Sequence, residues 1–103
     1  MGKRKVINQA QFKELLLPGT GEQFGRVIKR LGSELMQVKC ADGKVRIGRI
    51  RGKLRQRIWV KDRDLVLIAP WEFKIDQKCD ILWRYTIGQI ELLIANGHHA
   101  EDL

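Results

Sequence analysis

Five short segments with the patterns of β-strands follow one another between residues 22 and 85, separated by turns rich in glycine, proline and aspartate. This succession constrains the fold more than any other feature of the sequence. Five short strands in an open sheet could not hide both of its faces, whereas a closed barrel buries one face and pairs every edge. The segments predict an all-β barrel, for which an OB-fold is the natural candidate. The residue patterns alone leave an SH3-like barrel nearly as good an alternative.

The strongest local signal in this series is the dipeptide Asp42-Gly43. Both residues tolerate the positive φ angles of a type I′ turn, so the second and third strands should pair as a hairpin. The second strand, residues 35–41, alternates between an apolar face and a mixed face, which indicates that it is half buried.

The third strand is expected to continue this alternation. Val45 and Ile47 point to one face and Arg46 points to the other, until Gly48 shifts the register by a bulge. The fourth strand, residues 64–69, is a continuous apolar run that a proline ends, so it should be the most buried of the five.

A fifth strand, residues 79–85, leads into a short helix. Thr86 and Gln89 fit a capping box, in which both side chains bind backbone N–H groups at a helix start. Gly97 suits the left-handed stop of a helix. The apolar stripe that packs on the barrel would consist of Ile87, Ile90 and Ile94.

The 103 residues are too few for two independent cores, so we expect one domain. We divide the chain into a short basic N-terminal tail or arm (1–21), a five-stranded OB-fold barrel (22–85), a C-terminal helix packed on the barrel (86–97) and a C-terminal tail (98–103).

Positive charge dominates the chain, with 20 Lys and Arg against 12 Asp and Glu and a net charge of +8. Nine of the 20 cations lie between Lys44 and Arg63, where Asp62 is the one acidic residue. Crowded cations repel one another, which favours a polyanionic ligand there, with nucleic acid ahead of an anionic membrane. Arginine suits phosphate because its planar fork bonds two oxygens at once.

The membrane alternative is remote, since its cations should line an amphipathic helix and not a strand and loop. No apolar run reaches the roughly 20 residues of a membrane span. The N-terminus also lacks the apolar core of a signal peptide, so we expect a cytoplasmic protein.

No constellation for catalysis or for a metal is readable in the sequence, so we expect neither an enzyme nor a cofactor or metal site. Asp62 and Asp64 flank an arginine just before the fourth strand and are most simply interpreted as turn-forming residues. His98, with His99, is expected in a solvated tail. Two further residues, Cys40 and Cys79, are too far apart for a zinc or redox motif and are expected as buried thiols.

The three tryptophans have different expected roles. Trp83 alternates with apolar core positions and should be buried, whereas Trp59 lies in the basic segment, where packing and base stacking both remain open. Trp71 is left without an assigned role.

Two runs, CADGKVR at residues 40–46 and IRGKLRQRIWV at residues 50–60, closely resemble translation initiation factor 1A, the counterpart of bacterial initiation factor 1. The run DILWRY at residues 80–85 is similar to the last strand of that family, and the resemblance covers about residues 22–97. The sequence stops at Leu103 without the long acidic tail of eukaryotic relatives, which points to the archaeal form.

The resemblance implies an OB-fold in the A site of the small ribosomal subunit, where it contacts rRNA and supports initiator-tRNA recruitment and start-codon selection. It implies a monomer with indirect contact to the initiator-tRNA complex, and the subunit-joining GTPase among its further partners. At matching positions the RNA surface comprises Arg46, Arg49, Arg51, Lys53, Arg55 and Arg57, with Trp59 adjoining and Lys39 as a weaker addition.

Two other functions compete with this interpretation. A general OB-fold RNA chaperone that binds single strands would have several exposed aromatic side chains on its strands, where this sequence shows cations. A structural ribosomal protein would stay on mature subunits instead of cycling.

Overall fold

The computed structural model describes residues 16–50 and 60–98, and these contain five strands and a helix. The predictions for residues 1–15, 51–59 and 99–103 lie outside the described residues. The elements are β1 (Gln23–Arg30), β2 (Leu35–Cys40), β3 (Val45–Ile50), β4 (Leu65–Pro70), β5 (Lys78–Arg84) and α1 (Ile87–Ala95).

The strands form a closed barrel in the order β1-β2-β3-β5-β4, and β4 returns to pair with β1. Every pairing is antiparallel except that of β3 with β5, which is parallel. The predicted five-stranded barrel is confirmed. In the described ranges no helix is long and apolar enough to cross a membrane.

The β2–β3 hairpin turns where the sequence predicts it, but the turn is not of type I′, because Asp42 does not have a positive φ. Gly43 has a φ of 88°, in the left-handed region that glycine enters without a steric penalty, and its N–H donates to the carbonyl of Cys40 at 2.9 Å. The Asp42 carboxylate accepts the backbone N–H of Lys44 at 3.0 Å, as short polar side chains do in turns.

The barrel interior contains two groups of buried side chains. As predicted, one face of β2 is fully buried, and β4 is the most buried strand, with four consecutive buried residues. The larger group comprises Val27, Met36, Val38, Cys40, Ile50, Val60, Val66, Ile68, Cys79 and Ile81. The smaller group comprises Leu65, Leu67, Tyr85 and Leu93. Both cysteines are buried free thiols, as predicted.

The alternation predicted for β3 is confirmed, but the face with Val45 and Ile47 is the outer one. Val45 is 46% exposed, whereas Arg46 is only 2% exposed and points inward. The predicted bulge at Gly48 is also absent, because the β2–β3 register runs unbroken through this residue. A Cβ atom at Gly48 would lie 3.1 Å from side-chain atoms of Ile81 and Val38, so the glycine serves close packing instead.

Helix α1 starts at the predicted capping box. The Gln89 N–H donates to the Thr86 hydroxyl at 3.2 Å, and the Thr86 N–H donates to the Gln89 side chain at 3.0 Å. The predicted apolar stripe is confirmed for Ile90 and wrong for the other two residues, since Ile87 is 79% exposed and Ile94 is 42% exposed. Leu93 is the buried anchor of α1, and Ile90 and Leu92 pack beside it.

Two predictions near the ends of the elements have different outcomes. The turn-forming role is confirmed for Asp64, whose carboxylate accepts the N–H of Lys61 at 2.7 Å and whose own N–H donates to the Lys61 carbonyl at 3.2 Å. The Asp62 carboxylate instead accepts the backbone N–H of Arg30 on β1, at 3.0 Å. His98 is not in a solvated tail, because it is half buried with its ring edge-on to a phenylalanine on β1, 6.2 Å between centroids.

Candidate nucleic-acid interface

The outer face of the barrel can be mapped from strand registers. Buried residues on β2 point inward, so the alternate residues Leu35, Gln37 and Lys39 point outward. Three cross-strand rows of facing residues follow: Arg26, Lys39 and Val45; Lys29, Gln37, Ile47 and Lys78; and Leu35, Arg49 and Asp80. These rows cover β1, β2, β3 and β5.

Five cations of these rows form a surface that we name the outer cationic face: Arg26, Lys29, Lys39, Arg49 and Lys78. Lys39 and Arg49 were predicted from the sequence and are both exposed. The other three were missed, because they lie in segments far from the basic run and reach this face only through strand pairing. Arg26 could have been found from the sequence, because pairing the first two strands as an antiparallel hairpin places it opposite Lys39.

Arg49 belongs to a small ordered cluster on this face. Its guanidinium carbon lies 5.4 Å from the ring centroid of Trp71, and its Nε lies 3.7 Å from Asp80 Oδ1. The indole N–H of Trp71 donates to the same carboxylate oxygen at 3.0 Å. Trp71, whose role the sequence left open, therefore positions Arg49: its ring makes a cation–π contact with the guanidinium, and both side chains contact the Asp80 carboxylate.

Arg46 lies apart from the other predicted RNA-binding residues. Its Nη1 and Nη2 donate to the two carboxylate oxygens of Asp42 at 3.0 and 2.8 Å, and its Nε donates to the carbonyl of Ile75 at 2.6 Å. These hydrogen bonds lower the pKa of Asp42 to about 2. At 2% exposure this guanidinium joins the β2–β3 turn to the β4–β5 loop and has almost no surface for a ligand.

The remaining predicted site residues lie outside the described residues. They follow β3 directly in the sequence and contribute four cations and one aromatic side chain: Arg51, Lys53, Arg55, Arg57 and Trp59. Trp83, predicted as a core residue, is half buried against the smaller core group, and its indole N–H donates to Gln89 at 3.3 Å.

A family model and the most similar curated relatives agree on one family. The model of the family "Translation initiation factor 1A / IF-1" matches residues 12–103. Translation initiation factor 1A of Methanopyrus kandleri is 46% identical over 97 residues, which cover 94% of this chain and 85% of that protein. The factor of the same name from Sulfurisphaera tokodaii is 45% identical over 93 residues, with coverages of 90% and 85%.

Solved structures agree on the barrel. The solution structure of translation initiation factor 1 from a Wolbachia endosymbiont of Brugia malayi has a TM-score of 0.50 and 25% identity, covering 72% of this chain and 86% of that one. The crystal structure of YjeQ from Thermotoga maritima has a TM-score of 0.53 and 18% identity, and the match covers 63% of this chain and 23% of the YjeQ chain. This match supports the fold alone. The barrel is an OB-fold, as predicted. The chain belongs to the translation initiation factor 1A / IF-1 family.

Proposed function

We propose that this protein binds the A site of the small ribosomal subunit through rRNA contacts and there supports initiator-tRNA recruitment and start-codon selection. Family membership and the names of the archaeal relatives support a role in translation initiation. The observation that carries the RNA contact is the outer cationic face, where five cations share the surface of four strands.

The charge pairing on this face favours a polyanionic ligand. Arg26 and Lys39 face each other across β1 and β2, where their like charges repel, and the Arg26 guanidinium also donates to the carbonyl of Arg63 at 3.0 Å. Asp80, the acidic residue in the three rows, is held by Arg49 and Trp71. Phosphate groups of a bound RNA would relieve this repulsion. Binding would also release the cations condensed on the RNA, and this release makes binding favourable and dependent on salt concentration.

The basic segment after β3 extends the proposed interface. Between Ile50 and Val60 the sequence adds four cations and no acidic residue. Together with the outer cationic face this supplies nine positive charges for rRNA, a number that predicts a steep decrease of affinity with salt.

Chemical footprinting of the small subunit tests the proposal directly. The parent protein should protect nucleotides of the A site, and replacing Lys29 and Lys39 together by Ala should weaken that protection. The matched control replaces the same two residues by Arg, which keeps the charge and should keep the protection. Protection located elsewhere on the subunit, or equal protection by the Ala and Arg variants, would contradict the proposal.

The same small subunits can be used to distinguish the proposed function from that of a general single-strand RNA-binding protein. A general single-strand binder should bind an unstructured oligoribonucleotide as tightly as it binds small subunits, and excess oligonucleotide should displace it from them. The proposed factor should bind subunits more tightly and remain bound under this competition.

A further inference from the structure

The β4–β5 loop, residues 71–77, presents an aromatic side chain to solvent. Phe73 is 82% exposed, the highest value among the exposed large apolar side chains of the described residues. A phenylalanine gains nothing from exposure to water, and burying it fully would contribute roughly as much as any other large apolar side chain. Ile75, on the same loop, is 55% exposed, so the loop offers apolar and aromatic surface to a ligand.

The loop is held in place, so the exposure of Phe73 does not come from a frayed end. The Ile75 carbonyl accepts the Nε of Arg46 at 2.6 Å, and the Gln77 N–H donates to the Lys74 carbonyl at 2.9 Å. At the base of the loop, the Trp71 N–H donates to the Lys78 carbonyl at 3.1 Å. A ring on such an anchored loop can bind a flat ligand with little further loss of conformational entropy.

The loop adjoins the outer cationic face. Trp71, two positions before Phe73, contacts Arg49 through its ring, and Lys78 at the other end of the loop belongs to the same face. In OB-folds, the loop between strands 4 and 5 and the face of strands 2 and 3 form one nucleic-acid-binding surface. An RNA backbone on this face would bring its bases to the β4–β5 loop.

The case for RNA comes from the outer cationic face beside the loop, because the loop itself carries charges of both signs. Asp76 lies 3.9 Å from the Nζ of Lys44 and 4.0 Å from a guanidinium nitrogen of Arg46, so its charge is offset. Glu72 and Lys74, on either side of Phe73 in sequence, are both exposed. Exposed aromatic rings beside cations stack on bases while the cations bind phosphates.

We propose that Phe73 stacks on an unpaired base of the RNA whose backbone lies on the outer cationic face. This inference rests on the proposed function, because it adds a base-binding position to the same rRNA interface. It assigns the β4–β5 loop a contact with single-stranded RNA that does not depend on base identity, since every base has a flat face.

The test measures binding of an unstructured RNA of about 12 nucleotides, long enough for one OB-fold, and of the same sugar-phosphate chain without bases. The proteins are the parent and the Phe73→Ala, Phe73→Leu and Phe73→Tyr variants. Stacking on one base predicts that Phe73→Ala weakens binding of the complete RNA about 5- to 150-fold. Phe73→Leu should stay weak, because it restores apolar surface but no aromatic face, and Phe73→Tyr should bind like the parent. All of these proteins should bind the chain without bases equally.

Several results would overturn the inference. These are parent-like binding by Phe73→Ala, recovery by Phe73→Leu, equal losses on the chain without bases, and no binding of the RNA by the parent. A lower melting temperature of Phe73→Ala would mean that the ring is covered by this chain itself, and would also overturn it. Footprinting of the parent on small subunits is scored separately, so a failure of the proposed function is distinguished from a failure of the stacking site.

Discussion

Replacing Asp42 by Asn tests whether the buried guanidinium of Arg46 depends on its carboxylate partner. The substitution keeps the size of the side chain and an oxygen for the backbone N–H of Lys44, so the turn can remain formed. It removes the negative charge that receives two hydrogen bonds from Arg46 at 3.0 and 2.8 Å. The hydrogen bond from Arg46 to Ile75 remains, but it is made to a neutral carbonyl.

The expected loss follows from the exposure of the two partners. Removing one member of a fully buried ion pair costs about 3 to 5 kcal/mol, since the other charge stays desolvated. The Arg46 side chain is 2% exposed, but 35% of the Asp42 side chain reaches solvent, so water can partly replace the lost charge. We therefore expect the free energy of unfolding to fall by about 2 to 3 kcal/mol, or about 10 to 20 °C in melting temperature.

Denaturant and thermal unfolding measure this loss, and Asp76→Asn is the matched control. The Asp76 carboxylate also faces Arg46, but at 4.0 Å and with 62% of its side chain exposed, so its removal should cost less than about 1 kcal/mol. If both variants unfold at the same denaturant concentration as the parent, the buried ion pair does not stabilise the barrel and this reasoning is refuted.

The same pair predicts an acid dependence of stability. Hydrogen bonds from Arg46 lower the pKa of Asp42 from 3.8 to about 2, so between these values the unfolded chain binds more protons than the folded one. Stability from Asp42 is therefore complete above about pH 4 and is lost as pH falls through about 2. Because the carboxylate is partly exposed, we expect this acid-dependent loss of unfolding free energy to be about 1 kcal/mol. In Asp42→Asn this part of the pH profile should disappear.

Three further predictions concern packing, capping and charge. Gly25→Ala should destabilise the barrel by about 1 to 3 kcal/mol, because its Cβ would lie 2.6 Å from a methyl carbon of Val38. Gly32→Ala, whose Cβ meets nothing within 4 Å, is the control in the same urea titration. Thr86→Ala should cost about 1 kcal/mol in thermal unfolding through loss of the helix cap. Lys39→Ala should lower the slope of log affinity for small subunits against log salt by about 0.7 to 0.9, whereas an unchanged slope would remove this residue from the interface.

The elements that sequence reasoning predicts well are those that local chemistry determines. The turn at Asp42-Gly43 depends on the left-handed conformation of one glycine, and the capping box of Thr86 involves residues three apart. The orientation of β3 was not predictable in this way. Arg46 points inward because Asp42 and the carbonyl of Ile75, 29 positions later, surround its guanidinium, and the Ile75 contact exists only after the barrel has closed.

The candidate interface shows the same limit at longer range. Arg49 lies within the basic run and Lys39 was implied by the family resemblance, whereas Lys29 and Lys78 join them because β1 and β5 flank the β2–β3 hairpin. Those cross-strand neighbours depend on register, which one sequence specifies weakly. The exposure of Phe73 was missed for a related reason, because an isolated phenylalanine in a loop gives no periodicity from which burial can be inferred.

The pairing order of the strands also has a consequence for synthesis of the chain. The first three strands can pair as they emerge, but the resulting sheet has two bare edges, on β1 and on β3. Bare edges invite pairing with other chains. The later hairpin of β4 and β5 covers both edges at once, since β4 pairs with β1 and β5 pairs with β3. A nascent chain that stalls before residue 65 should therefore aggregate, and one released after residue 95, which also contains Tyr85 and Leu93 of the smaller core group, should not.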